Sequence, residues 1–217
     1  MVNEMEKVQT YFHKTATAFD SIYTGEKHKL SKMLDKHFRK DMYLRYEMTI
    51  QECEDVSGKT ALDIGCGSGK YCITLAKMGA RKVIGLDFAE NMLELAEQSA
   101  LKEKVSNICE FICADFLKYN FDEPFNISLA IGLFDYISNP DDFLCKIRDL
   151  TSEKVIATFP IKWTYRMPIR KIRLGLKGCP VYFYTKRQIL KLFGLAGFKK
   201  VRIERVGKIY FVVGEPL

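Results

Sequence analysis

From residue 60 onward, short apolar runs alternate with longer stretches in which apolar residues recur every three or four positions. Thr60–Ile64, Lys82–Leu86, Cys109–Cys113, Asn126–Ile131 and Lys154–Thr158 have the length and character of buried strands. Between them, Tyr71, Cys72, Leu75 and Met78 share one helical face, and Gly79 ends that helix. Asn91–Ala100 places Met92, Leu95, Ala96 and Ala100 on one side, and Asp141–Leu150 carries Phe143, Leu144 and Ile147 inward. Strands alternating with helices of about ten residues predict βαβ units around a parallel sheet.

The alternation lapses after Pro160 for about twenty residues. It resumes at Thr185, where Thr-Lys-Arg-Gln predicts a capping box with Gln188 at the third helical position. That helix should end near Gly194–Gly197. Lys199–Glu204 and Lys208–Val213 follow, joined so closely at Gly207 that they must pair antiparallel. The expected fold is α/β: a doubly wound, seven-stranded, mostly parallel sheet with an antiparallel last strand. Residues 1–50 read as helical. One helix spans about Val8–Ile22, and Gly25 separates it from a second in which Leu30, Met33, Leu34, His37 and Phe38 form a stripe. The predicted organisation is a helical cap over 1–50 and a sheet domain over 51–217, with an insert at 160–182.

Length and composition fit this picture. A chain of 217 residues with 47% hydrophobic residues holds one domain with a real core and a modest appendage. No apolar run approaches the roughly 20 residues that cross a bilayer, and Met1–Thr10 has no apolar signal core. Seven cysteines, none in a C-x-x-C pair, read as buried reduced thiols of a cytoplasmic protein. The three histidines, His13, His28 and His37, form no metal-binding spacing with them.

The chemistry concentrates at Leu62-Asp63-Ile64-Gly65-Cys66-Gly67-Ser68-Gly69. A glycine-rich turn between a first strand and a first helix lets backbone approach a ligand closely. By itself this turn also suits dinucleotide enzymes. Three acids narrow the choice. Asp63 precedes the first glycine by two residues, where it can receive an ammonium group. Asp87 closes the second strand, where a carboxylate can take both hydroxyls of a ribose. Asp115 follows the third strand. Each has a plain reading as a cap or turn residue. Together they line the carboxyl-end crevice where open α/β sheets bind ligands.

Leu62–Gly69, Gly85-Leu86-Asp87-Phe88, Ala114-Asp115-Phe116 and Ile131-Gly132-Leu133-Phe134-Asp135-Tyr136 resemble the successive motifs of the class I S-adenosylmethionine-dependent methyltransferases. The resemblance covers about residues 58–160. It implies that Asp63 and the main chain of Gly65, Cys66 and Gly67 hold the methionine part of S-adenosylmethionine. It further implies Asp87 on the ribose, Phe88 and Met92 flanking the adenine, Asp115 on its amino group with Phe116 beside it, and Gly132 under the sulfonium. Tyr11-Phe12 and Phe19-Asp20-Ser21-Ile22-Tyr23 are similar to the opening of magnesium-protoporphyrin O-methyltransferases and ubiquinone-pathway-like methyltransferases, whose N-terminal helix closes over the cofactor. This places Tyr11 with the cofactor-binding residues. Residues 160–182 depart from the porphyrin enzymes.

Methyl transfer from a sulfonium mainly requires alignment, because the leaving group is already good. A base matters only when the acceptor must shed a proton, as a hydroxyl must. Asp135, Tyr136 and His13 are the candidates for that role, and each also reads as a positioning or packing residue.

Charge bears on the acceptor. The net charge is +7, yet Lys162–Lys177 alone holds six basic residues and no acid, and Glu26–Arg45 holds seven against three, so the remainder is net acidic. In a helical register Arg166, Arg170, Arg173 and Lys177 form a basic stripe beside Ile169, Ile172 and Leu176. Arginine forks suit anions, so Arg166, Arg170 and Arg173 are expected to bind a small anionic acceptor, by O-methylation in preference to N-methylation. The same stripe also reads as a solvated face or as a peripheral contact with an anionic membrane. Nucleic acid is disfavoured, since the fourth strand has no Asn-Pro-Pro-Tyr-like motif. Two rival readings stay open: a nicotinamide-dependent oxidoreductase, and a non-catalytic module that keeps the cofactor fold.

Overall fold

The computed structural model describes residues 40–162, 172, 174–176 and 179–216. The two N-terminal helices expected before residue 40, with Tyr11 and His13, lie outside the described residues, as do Arg166, Arg170 and Arg173. Among the described residues no helix is long and apolar enough to cross a membrane.

Seven strands form one sheet: β1 (Thr60–Ile64), β2 (Lys82–Asp87), β3 (Cys109–Cys113), β4 (Phe125–Ala130), β5 (Thr151–Pro160), β6 (Lys200–Val206) and β7 (Ile209–Glu215), in the order β3-β2-β1-β4-β5-β7-β6. β1 to β5 pair in parallel, and β7 enters antiparallel between β5 and β6. The chain therefore winds outward from β1 to β3, then restarts beside β1 with β4. That switch point opens a crevice at the carboxyl ends of β1 and β4.

Successive strand residues point to opposite faces, and two cores result. Ala61, Ile127, Leu129, Ile156 and Phe211 pack under α1 (Lys40–Glu52), α2 (Lys70–Lys77) and α3 (Glu90–Lys102). Leu62, Ile64, Ala130, Val155, Ala157 and Val212 pack under α4 (Pro140–Asp149) and α5 (Lys186–Leu195). The Thr185 capping box forms as expected, with the Gln188 N–H donating to Thr185 Oγ1 and the Thr185 N–H to Gln188 Oε1.

The structure amends several expectations. In α3 the buried face carries Leu93 in place of Leu95. β5 begins three residues early, because Thr151 pairs with Phe125 and a bulge absorbs the shift between Phe125 and Ile127. Cys53, Cys66, Cys72, Cys109 and Cys179 are buried, but Cys145 is only partly so and Cys113 is exposed. Cys113 ends the edge strand, where the sheet has no further neighbour to cover it.

Candidate functional site

The turn after β1 is anchored to its neighbour. The N–H groups of Gly65 and Cys66 both donate to Leu86 O on β2, at 2.7 and 3.1 Å. Gly65, Gly67 and Gly69 have φ of 73°, 54° and 74°. At Gly67 an added Cβ would stand 3.1 Å from Met92 Cε, so the turn and the start of α3 enclose a narrow space that side-chain-free backbone keeps open.

Asp63 and Asp87 face this turn from adjacent strands. Asp87 is buried, and its carboxylate accepts from Gly67 N at 2.9 Å and Ala89 N at 3.0 Å. Burial pushes its carboxyl up, and those main-chain donors oppose the shift. Asp63 is 1% exposed. Among the described residues its carboxylate receives one hydrogen bond, from Cys72 Sγ at 3.5 Å, a weak donor. Burial raises its pKa to about 7; the thiol and the Arg45 charge pull downward, and the Asp87 charge pushes further up. A buried carboxylate with so little compensation is poised to take a cationic group.

Arg45 is a residue that sequence patterning missed. It projects from α1, and its Nη1 lies 3.2 Å from where a Cβ on Gly132 would stand. Gly132, at the end of β4, has φ 77°, and its N–H donates to Thr158 Oγ1 at 2.8 Å. α1 is held against α2 beside the turn: Tyr46 Oη and Thr74 Oγ1 share a hydrogen bond of 2.8 Å, and Lys70 Nζ sits 4.2 Å from the Tyr46 ring centroid. No motif marks Arg45; the only sequence hint was the basic run ending there.

The loop after β3 is built differently from its expectation. Asp115 Oδ1 accepts from Leu117 N at 3.0 Å, an Asx turn, and Oδ2 lies 3.4 Å from Lys118 Nζ. The Phe116 ring is 3% exposed and packs on Phe143 and Phe121, with centroids at 5.5 and 6.3 Å. Lys146 on α4 donates to Tyr119 O at 2.6 Å and Leu117 O at 3.1 Å, which pins the loop from below.

Across the crevice, Phe88 packs on Ala89 and Met92 and also on the segment after β5. Leu174, Cys179 and Val181 of that segment are buried against Phe88, Tyr136 and Phe183. The Tyr182 N–H donates to Asp135 O at 2.9 Å, so the returning strand of chain is tied to the β4 loop. Asp135 is buried and Tyr136 half-buried at this junction. The structure thus gathers Asp63, Gly65, Cys66, Gly67, Asp87, Phe88, Met92 and Gly132 around one crevice. Asp115 lies at its β3 edge, and Asp135 and Tyr136 lie at its β4 rim.

The described residues fit the implied cofactor. Backbone space at Gly67, a buried carboxylate at Asp63, a fixed carboxylate at Asp87 and an apolar wall at Met92 match the parts of an adenosyl amino acid.

A family model described as a methyltransferase domain matches residues 55–162. A demethylmenaquinone methyltransferase from Staphylococcus haemolyticus is 27% identical over 91% of this chain and 88% of its own length. The magnesium protoporphyrin IX methyltransferase of Synechocystis, crystallised with bound S-adenosylhomocysteine, superposes with a TM-score of 0.76 at 20% identity, covering 99% of this chain and 100% of that one. The [4+2]-cyclase SpnF superposes with a TM-score of 0.63 at 17% identity, over 74% and 76%. With the glycine turn, the strand-end acids and the sheet order in agreement, residues 55–162 are a methyltransferase domain, and the chain has the fold of the S-adenosylmethionine-dependent methyltransferases.

Proposed function

We propose that the protein methylates a small anionic molecule, at oxygen in preference to nitrogen. The observation that carries the reading is the crevice itself: Asp63 and Asp87 are fixed at the glycine turn, and an aromatic, apolar rim lies opposite. Bound S-adenosylmethionine supplies a methyl group on a sulfonium, already activated for in-line displacement. The chain's own residues hold and orient. Asp63 receives an ammonium, and Arg45, between Gly132 and Asp63, receives a carboxylate. Asp87 takes the ribose hydroxyls, Phe88 and Met92 flank the adenine, and Asp115 with the main chain of residue 116 meets its edge. Gly132 keeps the β4 end free of a side chain.

The acceptor enters between Phe88, Leu133, Tyr136 and the segment after β5. Leu174 and Val181 pack with Phe88 and Tyr136 at this rim, which supports an acceptor whose body is apolar or aromatic where it meets them. The anionic part meets the basic residues Arg166, Arg170 and Arg173 in the sequence of that segment. Asp135, Tyr136 and, from the N-terminal segment, His13 are the groups that would accept a hydroxyl proton. The names of the relatives support a small-molecule acceptor, since they cite demethylmenaquinone and magnesium protoporphyrin IX. In this scheme residues 1–50 cap the crevice and 160–182 wall its acceptor side.

The test has two stages. Calorimetry should show S-adenosylmethionine and S-adenosylhomocysteine binding, with no NAD binding. Labelled methyl transfer is then screened across phenols, carboxylates and phosphorylated hydroxy compounds. Arg170→Glu with Arg173→Glu should raise acceptor KM while leaving cofactor Kd within about twofold; equal effects on both would sink the anionic assignment. Tight cofactor binding with no transfer to any acceptor would favour a different use of the fold, one that a protein named a [4+2]-cyclase also has.

A further inference from the structure

The two buried acids of the crevice are held in unlike ways. Asp87 receives two main-chain N–H groups, at 2.9 and 3.0 Å. Asp63 receives none; among the described residues its one donor is the Cys72 thiol, 3.5 Å from Oδ2. The sheet fixes where that thiol sits. Gly85 of β2 stands directly beside Asp63 of β1 in the strand register, and residues so paired face the same side. Gly85 has no side chain, and two sulfurs take the space: a Cβ there would lie 2.9 Å from Cys72 Sγ and 3.0 Å from Cys66 Sγ. The two thiols are hydrogen-bonded to each other. Cys109 Sγ donates to Cys72 O at 3.6 Å, which holds the same residue by its main chain. Cys72 is fully buried.

The other charged or titratable groups around Asp63, among the described residues, are Arg45 from α1, Cys53 just after α1, Cys66 from the turn and Asp87 from β2. None of them donates a hydrogen bond to its carboxylate; Cys72 alone does. A thiol is a weak donor. It suffices to orient a carboxylate and does not satisfy one. An ammonium brings three charged donors, which form shorter and stronger bonds. A main-chain N–H on Asp63, of the kind that holds Asp87, would have to be beaten by the ligand. A thiol is easily displaced.

We propose that Cys72 is a positioning residue for the amino group of the cofactor: its thiol holds Asp63 Oδ2 in the free chain and yields that oxygen to the ammonium on binding. The inference rests on the reading that Asp63 receives the ammonium of S-adenosylmethionine. It has a signature of opposite signs. Only the ionised carboxylate of the free chain feels the donor at residue 72. Cys72→Ser, a stronger donor, should lower the pH at which Asp63 titrates in the ligand-free chain, and Cys72→Ala should raise it, each by at least about half a unit. The bound states are alike, so all three chains should bind S-adenosylhomocysteine about equally near pH 5, where the free chains hold Asp63 protonated. Near pH 8.5 the same half unit appears as affinity: the serine variant should bind about threefold more weakly than wild type and the alanine variant about threefold more tightly.

The test uses the full chain under reducing conditions. The Asp63 carboxyl is followed by its carbon-13 resonance, assigned by its loss in Asp63→Asn, and S-adenosylhomocysteine affinity is measured by calorimetry from pH 5 to 8.5. Opposite shifts in the two variants, with affinities that converge at low pH and separate at high pH, are the expected result. An Asp63 titration that moves in neither variant overturns the proposal. So does a loss of affinity by one factor at every pH in both variants, which marks packing damage alone. A wild-type affinity that is flat across this range overturns the ammonium reading itself. That failure is distinct, because the ligand-free titration of Asp63 still shifts between the serine and alanine variants.

Discussion

Asp87 Oδ2 accepts a hydrogen bond from the Gly67 main-chain N–H at 2.9 Å, which ties the end of β2 to the turn after β1. The Ala89 N–H fills the other oxygen at 3.0 Å. The carboxylate is thus fixed before any ligand arrives. Asp87→Ala should strand the buried Ala89 N–H and the part-buried Gly67 N–H and lower stability by about 1–3 kcal/mol. If Asp87 takes the ribose hydroxyls as proposed, the substitution should also weaken S-adenosylhomocysteine binding by at least about tenfold. Asp87→Asn keeps one acceptor oxygen and should recover most of the melting temperature but little of the affinity. Parallel loss of both in the two variants would mean that Asp87 is only a structural brace.

Burial keeps Asp63 protonated up to about 7 in the folded, ligand-free chain, whereas an unfolded chain ionises it near ~4. The folded state therefore holds an extra proton between those values, and the stability this group contributes falls as pH rises through that window. A ligand ammonium favours the charged form. Cofactor affinity should rise with pH, by up to about tenfold per unit, and level off above about 7. Calorimetry near pH 6 in buffers of different ionisation enthalpy should register proton release from the protein on binding. A wild-type affinity flat from pH 5 to 8, or a slope that survives Asp63→Asn, would contradict this account.

Gly69 and Gly58 offer a matched pair. Both have φ near 75°, but a Cβ at Gly69 would lie 2.8 Å from Ala96 Cβ and 3.0 Å from the Phe111 ring, while one at Gly58 meets nothing within 4 Å. Gly58→Ala should cost only the left-handed backbone penalty of about 1–2 kcal/mol. Gly69→Ala adds overpacking of about 1–3 kcal/mol and should open the start of α2 away from α3. Thermal melts compare the two directly. Equal losses would show that Gly69 serves only its dihedral angle.

The sheet was legible because its signals are local: apolar runs, glycine turns and strand-end acids each act within a few residues of where they stand. What patterning missed depends on packing between distant segments. Leu93 displaces Leu95 because the direction from which β3 and β2 approach α3 selects the buried face. The Phe116 ring turns into the core because Phe121 and Phe143, far apart in sequence, form a pocket for it. Arg45 stands 18 residues before Asp63 with no pattern between them; only the docking of α1 on α2 brings it to Gly132.

Lys146 holds the Asp115 loop through the carbonyls of Leu117 and Tyr119, and its ammonium lies 5.2 Å from the Phe116 ring centroid. It is partly buried there, and desolvation lowers its pKa while Asp115 opposes that shift. Lys146→Met keeps the stem but releases both carbonyls. Cofactor Kd should rise about three- to tenfold, as expected for losing one or two charge-assisted hydrogen bonds outside the ligand's reach, with acceptor KM unchanged. Lys146→Arg should restore much of the affinity. A uniform fall in kcat with unchanged Kd would place the effect elsewhere.

Arg45 and Asp63 are coupled by charge across the mouth of the glycine turn. The guanidinium pulls the Asp63 carboxyl down against the push of burial, so Arg45→Met should move its titration upward. The pH at which cofactor affinity levels off should then shift to the alkaline side of about 7, the value with Arg45 present. If Arg45 also receives the ligand carboxylate, the variant should weaken S-adenosylhomocysteine by at least about tenfold at any pH. The two contributions separate with 5′-methylthioadenosine, which keeps the nucleoside and lacks the amino acid. Its affinity should be independent of pH between 5 and 8 and indifferent to Arg45→Met. If methylthioadenosine binding falls as much as S-adenosylhomocysteine binding, Arg45 acts by holding α1 in place. In that case the Asp63 titration, read separately by its proton release, still reports the charge coupling.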